Sequence, residues 1–341
     1  MPVSDMGGVA RHVLDVARHG LFGWRLVVLC PPGPLAEQLR ALGTAVLDPA
    51  FGPGAGTATS VRALRHTVQR LRPDVVHSHL AYADIVTAIG APPGARLIST
   101  EHGISGDPGV YHSGQIKQRA MATAHSARLR RLSDLIAVSR STADVVRARW
   151  SPPSSLPIHV IHNGVDAIVD PPPATPGLRI GSISRLAAEK NLDVLMDSFD
   201  ILRRQEPEAT LTIAGAGPEE AALRRQVGDL GLQESVNFVG HIDPRAFFQD
   251  VDVVAQLSAW ENHSYSLLDA VVHGRGVVAT AVGGNPEILP ARCLVPLDPR
   301  AVADAVLTQG RDVRARPESA EAWPDIATMC SALLDVYGAD R

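Results

Sequence analysis

The sequence predicts an α/β protein built from two doubly wound, Rossmann-like domains, and three observations carry that expectation. Short apolar runs bounded by Pro, Gly or Asp alternate with stretches of helical periodicity, the pattern of β-α units feeding a parallel sheet. The rhythm runs through the chain twice, and the two series are parted by the proline-rich DPPPATPG at 170–177, which neither a strand nor a helix accommodates. The 341 residues, 45% of them hydrophobic, supply enough apolar side chain for two cores.

In chain order, MPVSDMGGVARHVLDVARHG (1–20) opens an amphipathic helix at Gly7-Gly8, with six residues before the pair. The strands of the first series are expected in RLVVLC (25–30), DVVHSHL (74–80), RLIST (96–100), DLIAVS (134–139) and IHVIHNG (158–164). Those of the second are expected in LRIGSIS (178–184), ATLTIAGAG (209–217), SVNFVG (235–240), VDVVAQLS (251–258), GVVATAVGG (276–284) and CLVPL (293–297). The final helix, from about 324 to 337, follows a proline and spaces Ile326, Met329, Cys330, Leu333, Leu334 and Tyr337 three and four apart, a face built for packing. The expected domains are 1–165, a linker at 166–177, 178–320, and a C-terminal helix at 321–341 that packs back on the first domain. A ligand is expected in the cleft where the two domains face each other.

Composition excludes several classes. Cys30, Cys293 and Cys330 are odd in number and share no metal-ligand spacing, which argues against a disulfide framework or a zinc site and fits a reducing compartment. No secretory signal and no run of roughly 18 apolar residues is seen, so a cytoplasmic protein is expected. Residues 1–165 hold 17 Lys or Arg against 10 Asp or Glu, and the rest hold 15 against 26, so the halves differ in sign. The basic stretch QIKQRAMATAHSARLRRL (115–132), with Lys117, Arg119, Arg128, Arg130 and Arg131, reads either as an ordinary charged helix or as a peripheral contact with an anionic membrane. Nucleic acid is not expected as a partner, since no basic repeat with interleaved aromatics is present.

Two segments point to chemistry. In SISRLAAEKNLDVLMDSF (182–199), Arg185 and Lys190 follow a strand and precede a helix, a combination that can hold a diphosphate or can simply be two exposed loop cations. In ENHSYSLLDAVVHGRGVVATAVGG (261–284), Glu261 lies in a loop after a strand and Asp269 about one turn into the next helix. Two such carboxylates can accept hydrogen bonds from different hydroxyls of one sugar-containing ligand, or serve as a helix-start acid and a surface acid. His102 after a strand reads as a capping or packing residue more often than as a site residue, and His77 and His79, alternating on a buried strand, read as core or structural.

Taken together, GGVARHVLDVA (7–17), DVVHSHL (74–80), TEHG (100–103), DLIAVSRSTAD (134–144), VIHNGVD (160–166), RLAAEKN (185–191), AGAGPE (214–219), FVGHI (238–242), Glu261 to Asp269 and VVATAVGGNPEIL (277–289) resemble, in family order, the retaining glycosyltransferases of family 4. That resemblance implies the GT-B fold and a hexosyl transfer, in polysaccharide or glycolipid synthesis, from a nucleotide sugar to a saccharide or lipid-linked acceptor. A UDP- or GDP-sugar is the expected donor substrate, with no cofactor and no metal. It implies that Arg185 and Lys190 hold the diphosphate, Glu261 the donor-sugar hydroxyls, and Ser264, Tyr265 and Ser266 the sugar and phosphate through backbone N–H groups. Gly7 and Gly8 would let backbone approach the phosphate or the acceptor, Gly215 would belong to the donor site with them, and His102 would sit beside the donor sugar. Asp269 stands where the family has Glu gripping the ribose, one methylene shorter. The implied mechanism is a same-face, oxocarbenium-like transfer after domain closure excludes water.

The family begins with an apolar strand near the centre of the first sheet, of which MPVSDM supplies only a tail. The first strand of the N-terminal domain is therefore expected to be missing, with the natural start upstream, or else the chain is a rearranged relative. The alternatives for function are a nucleotide-sugar-binding relative with impaired catalysis, suggested by the short start and Asp269, and a sugar-nucleotide epimerase.

Overall fold

The computed structural model describes residues 1–103, 123–168, 174–318 and 323–338. The chain forms two compact units, Met1–Gly164 with Pro324–Arg341, and Val165–Trp323.

In the first unit, β1 (Val27–Leu29) pairs in parallel with β2 (Ala45–Leu47), and β3 (Val75–His79), β4 (Arg96–Glu101), β5 (Asp134–Ala137) and β6 (Ile158–Val160) form a second parallel sheet in that order. Every strand expected in the first series is present. β2 was not expected, because three residues facing partly to solvent carry no readable alternation.

Residues 1–6 form no strand, and among the described residues no hydrogen-bonded strand joins the two sheets. The segment packs instead as irregular chain. Met1 lies in the cluster between α1 (Gly8–His19) and α2 (Pro34–Ala41), its amino group donating to the Leu29 carbonyl at 2.9 Å. The Ser4 carbonyl accepts from the Leu35 N–H at 2.9 Å and its hydroxyl from the Ala36 N–H at 3.2 Å, satisfying donors at the start of α2 that have no partner within the helix.

Among the described residues this unit also holds α3 (Thr57–Leu71), α4 (Ala81–Gly90), helical residues at 123–129, α5 (Arg140–Trp150) and the C-terminal helix, Ile326–Tyr337. Asp325 caps that helix by accepting from the Thr328 N–H at 2.7 Å. Met329, Cys330, Leu333 and Val336 bury against Val16 and Leu21 and against Ile98 and Ile136 of the sheet. Buried apolar side chains of this size each contribute roughly 1.5–3 kcal/mol as an upper estimate, which explains how a short helix stays docked. Polar ties add to this. Arg96 Nη2 donates to the Val336 carbonyl at 2.6 Å, and the Tyr337 hydroxyl meets His77 Nδ1 at 2.5 Å.

The second unit is one six-stranded parallel sheet of β7 (Arg179–Ile183), β8 (Thr210–Ala214), β9 (Val236–Gly240), β10 (Val253–Gln256), β11 (Gly276–Thr280) and β12 (Leu294–Val295), ordered β12-β11-β10-β7-β8-β9. Alternate residues feed two cores. Val253 and Ala255 join Leu195, Met196 and Phe199 of the helix Leu192–Gln205, while Val254 joins Phe247, Phe248, Leu267 and Leu268 of the helices Pro244–Asp250 and Tyr265–Val272. The sheet is therefore covered on both faces, as its unbroken apolar strands require. Chain order reverses between β7 and β10, so the topological switch point, where open α/β sheets bind ligands, lies at the carboxyl ends of those two strands.

Candidate functional site

The loop after β7 and the loop after β10 meet at this switch point. Asn191 takes a left-handed conformation (φ 47°) at the start of the helix Leu192–Gln205, and its side-chain amide donates to the Leu257 carbonyl at 2.7 Å. The Ala259 N–H donates to the Glu189 carbonyl at 2.8 Å. These two bonds place Lys190 over the end of β10, where its ammonium donates to Ser258 Oγ at 3.3 Å and forms an ion pair with Glu261. The Ser258 hydroxyl also donates to Glu261 Oε1 at 2.8 Å. Arg185 stands nearer solvent, its side chain 66% exposed and paired with Glu189 of the same loop.

Two glycines let these loops approach. Gly215 (φ +121°) ends β8 where a Cβ would overlap the Ser184 carbonyl beside Arg185. Gly283 (φ +53°) follows β11 where a Cβ would overlap the Glu261 carbonyl. An L side chain is disfavoured at both by conformation and by space.

Gln256, at the end of β10, donates to Ser264 Oγ at 2.8 Å and Ser266 Oγ at 2.9 Å, and Asn285 donates to the Thr280 carbonyl at 3.0 Å. Ser264 is the N-cap of the helix Tyr265–Val272, but its hydroxyl makes no cap bond because it is engaged by Gln256 and Ser266. The helix N-terminus thus carries no side-chain cap beside the Lys190–Ser258–Glu261 cluster, a setting that favours an anion. Asp269 lies buried on the same helix.

The first unit holds a second polar cluster. His12 on α1, His79 at the end of β3 and His102 just after β4 come together, with His79 Nδ1 at 2.8 Å from His102 Nε2 and His12 Nδ1 at 3.3 Å from Asn163 Oδ1. His77 stacks on His79 and hydrogen-bonds Thr100 at 2.7 Å. Burial lowers all four imidazole pKa values, to about 4 for His12 and about 3 for His77, with like-charge repulsion adding at His77, His79 and His102. The four rings are therefore neutral near neutral pH.

Beneath this cluster lies a buried triad. Arg128 donates to Asp84 and to Glu101, and its guanidinium sits 4.9 Å over the Trp150 ring. Asp84 in turn accepts from Ser78 at 2.6 Å, so one cation ties together Ser78 and Glu101, the neighbours of His79 and His102 in the chain.

The structure thus brings Arg185, Lys190, Gly215, Glu261, Ser264, Tyr265, Ser266 and Asp269 to the second unit and places Gly7, Gly8 and His102 in the first. At Gly7 the backbone is extended (φ 175°) and a Cβ would meet no protein atom within 4 Å, so packing within the protein does not call for glycine there. His79 is buried at the end of β3, as a structural strand residue would be, and it hydrogen-bonds His102. Within 115–132 Arg128 departs from the expected charged surface or membrane-facing helix, being 2% exposed and ion-paired inside the unit, whereas Arg130 and Arg131 are exposed. Arg131 donates to the carbonyls of Ala88, Ala91 and Pro92, while Lys117 and Arg119 lie outside the described residues. No helix among the described residues is long and apolar enough to cross a membrane.

His12, Ser258, Gln256 and Glu189 were not singled out from sequence. The available signal for His12 was a polar residue on the apolar stripe of Ala10, Val13 and Leu14, four positions after Gly8.

Two parallel-sheet units, with a cation, a carboxylate and an uncapped helix start at the switch point of the second, define a GT-B protein. The solved structure of Anabaena Alr3699/HepE in complex with UDP-glucose has the same fold, with a TM-score of 0.82, 20% identity, and coverage of 98% of this chain and 97% of that one. The chain belongs to the family 4 glycosyltransferases: the model described as Glycosyltransferase Family 4 matches residues 6–168, and that described as Glycosyl transferases group 1 matches residues 177–312. Among curated relatives, a phosphatidylinositol N-acetylglucosaminyltransferase subunit of Arabidopsis thaliana is 26% identical over 85% of this chain and 67% of its own length. A glycogen synthase of Mycobacterium tuberculosis is 27% identical over 98% of this chain and 92% of its own.

Proposed function

We propose that this glycosyltransferase moves a hexosyl group from a nucleoside diphosphate sugar, with uridine the favoured base, to a saccharide or lipid-linked acceptor, with retention at the anomeric carbon and without a metal ion. The observation that carries the reading is the Lys190–Ser258–Glu261 cluster at the switch point of the second unit. Support for the donor class comes from the complexes of Alr3699/HepE with UDP and UDP-glucose, and from a relative named for transfer of N-acetylglucosamine units.

In the free protein Lys190 and Glu261 neutralise each other. An incoming diphosphate gives Lys190 a stronger partner and leaves Glu261 to accept hydrogen bonds from sugar hydroxyls, so phosphate and sugar are gripped by one exchange of partners. Arg185, exposed on the same loop, adds a second cation. When the bond from the anomeric carbon to the diphosphate oxygen breaks, the electron pair leaves with the diphosphate. Fixed cations and a helix N-terminus stabilise that charge without reorganising, which is the largest lever the site has on the rate. The acceptor oxygen then bonds to the anomeric carbon on the face the diphosphate leaves, and its proton passes to the departing phosphate. His102 contributes a neutral hydrogen-bonding ring to the donor sugar.

The test is transfer from UDP-glucose and UDP-N-acetylglucosamine to a panel of saccharide and polyprenyl-phosphate-linked acceptors in EDTA, with the anomeric configuration of the product read by NMR. An α-linked product from the α-linked donor is expected. A β-linked product, or turnover abolished by EDTA and restored by a divalent cation, would refute the proposal.

A further inference from the structure

We propose that His12, His79 and His102 form a binding site for a divalent transition-metal cation of the zinc class, and that its occupancy withdraws His102 from sugar transfer. The second clause rests on the proposed function; the first does not.

One ring nitrogen from each histidine lies within 4.8 Å of those of the other two, and the three side chains come from separate elements, α1, the end of β3 and the residue after β4. Zinc holds imidazole nitrogens at about 2.0–2.1 Å in a tetrahedron, which sets ligand nitrogens about 3.3 Å apart. The 2.8 Å between His79 Nδ1 and His102 Nε2 opens slightly to reach that spacing, and His12 closes on the pair.

Two features favour a metal over a purely hydrogen-bonded cluster. His12 is 2% exposed, its Nδ1 is held by Asn163 at 3.3 Å, and its buried Nε2 has no hydrogen-bond partner. A buried ring nitrogen without a partner is unfavourable, and a bond to a metal removes the deficit. The Asn163 contact also orients the ring, as partners of metal-bound histidines do. In addition, Glu101, the neighbour of His102 in the chain, is held by Arg128 in the buried triad with Asp84, which fixes the backbone that carries His102. Three imidazoles and no carboxylate select Zn²⁺, Co²⁺, Ni²⁺ or Cu²⁺ over Mg²⁺ or Ca²⁺. Three protein ligands leave a fourth position open, and His102 is only half-buried, so that position has an outward side.

The experiment uses the full chain, stripped with EDTA and exchanged into a non-chelating buffer. Co²⁺ is titrated while the visible absorption of tetrahedral cobalt is followed, Zn²⁺ is titrated by calorimetry, and Mg²⁺ serves as the control. The same titrations are run on His12→Gln and His79→Gln chains whose folding is checked by circular dichroism. The proposal expects one equivalent of Co²⁺ with an intense tetrahedral spectrum, displaced by Zn²⁺ and untouched by Mg²⁺. Each variant should lose at least tenfold in affinity. A folded parent chain without the spectrum, or variants that bind as tightly as the parent, as surface histidines would make them, overturns the site. In a transfer assay, Zn²⁺ should inhibit the parent and EDTA restore it. Stoichiometric binding that leaves transfer unchanged overturns the second clause alone, and absence of any transfer bears on the proposed function while the cobalt result still decides the site.

Discussion

Replacing Arg128 with methionine keeps most of the side-chain volume and removes the only charge that faces both Asp84 and Glu101 among the described residues. Burial raises the pKa of Glu101, and Arg128 opposes that rise. Without the guanidinium, two buried carboxylates face each other unpaired. Breaking a buried pair in this way costs about 3–5 kcal/mol, a large share of the roughly 5–15 kcal/mol that holds a domain together. For a unit of this size each kcal/mol moves the midpoint by about 2–4 °C, so a fall of roughly 6–20 °C is expected for the first unit. The pH sign follows from the raised carboxylate pKa in the variant. The folded state then binds a proton more readily than the unfolded state, so the variant's deficit is largest near neutral pH and shrinks as pH falls towards about 5. Scanning calorimetry checks both, with Trp150, which stacks on Arg128, reporting the first unit by fluorescence. An Asp84→Asn/Glu101→Gln/Arg128→Met chain, with no buried charge, should recover at least about half the loss. A single variant within about 1 kcal/mol of the parent, or a deficit that grows in acid, would mean that the triad does not hold the first unit together in this way.

Three further outcomes are expected. Gly283→Ala, whose Cβ would overlap the Glu261 carbonyl at a left-handed position, should cost about 2–5 kcal/mol by urea unfolding and displace Glu261, so nucleotide-sugar affinity falls with it. The buried imidazoles of His12 and His77, held to about 4 and about 3, make the metal-free first unit less stable as pH falls below the unfolded value of 6.5. Each contributes up to about 1.4 kcal/mol per pH unit until its folded pKa is reached, and a midpoint independent of pH between about 6.5 and about 4.5 would contradict this. Tyr337→Phe removes the hydroxyl that meets His77 and should cost about 1 kcal/mol, read as a lower unfolding midpoint.

The fold was legible where apolar runs end at Gly, Pro or Asp, because a buried parallel strand needs apolar side chains on both faces and a sharp stop. β2 escaped because its three residues have only partial burial to mark them. Arg185, Lys190 and Glu261 were legible as charged residues in loops after strands. Ser258 and Gln256 were not, since a small polar residue at a strand end has no local pattern to distinguish it. Arg128 was misread because it sits in RLRRL, where periodicity suggests a solvated face. Its burial is decided by Asp84 and Glu101, 44 and 27 residues away in the chain, which no local window contains. The same holds for the histidines, whose meeting is a product of three separate elements.

Lys190, with Arg185 on the same loop, is the proposed diphosphate receptor. The most direct measurement is calorimetric titration of the chain in EDTA with UDP, GDP and ADP, alongside an Arg185→Ala/Lys190→Ala chain. UDP is expected to bind without a metal, and the double variant to lose affinity by roughly two to four orders of magnitude, the loss of two charge-assisted contacts at about 1.5–3 kcal/mol each. A well-folded chain that binds no nucleotide, or a double variant that binds UDP as tightly as its parent, would contradict that role.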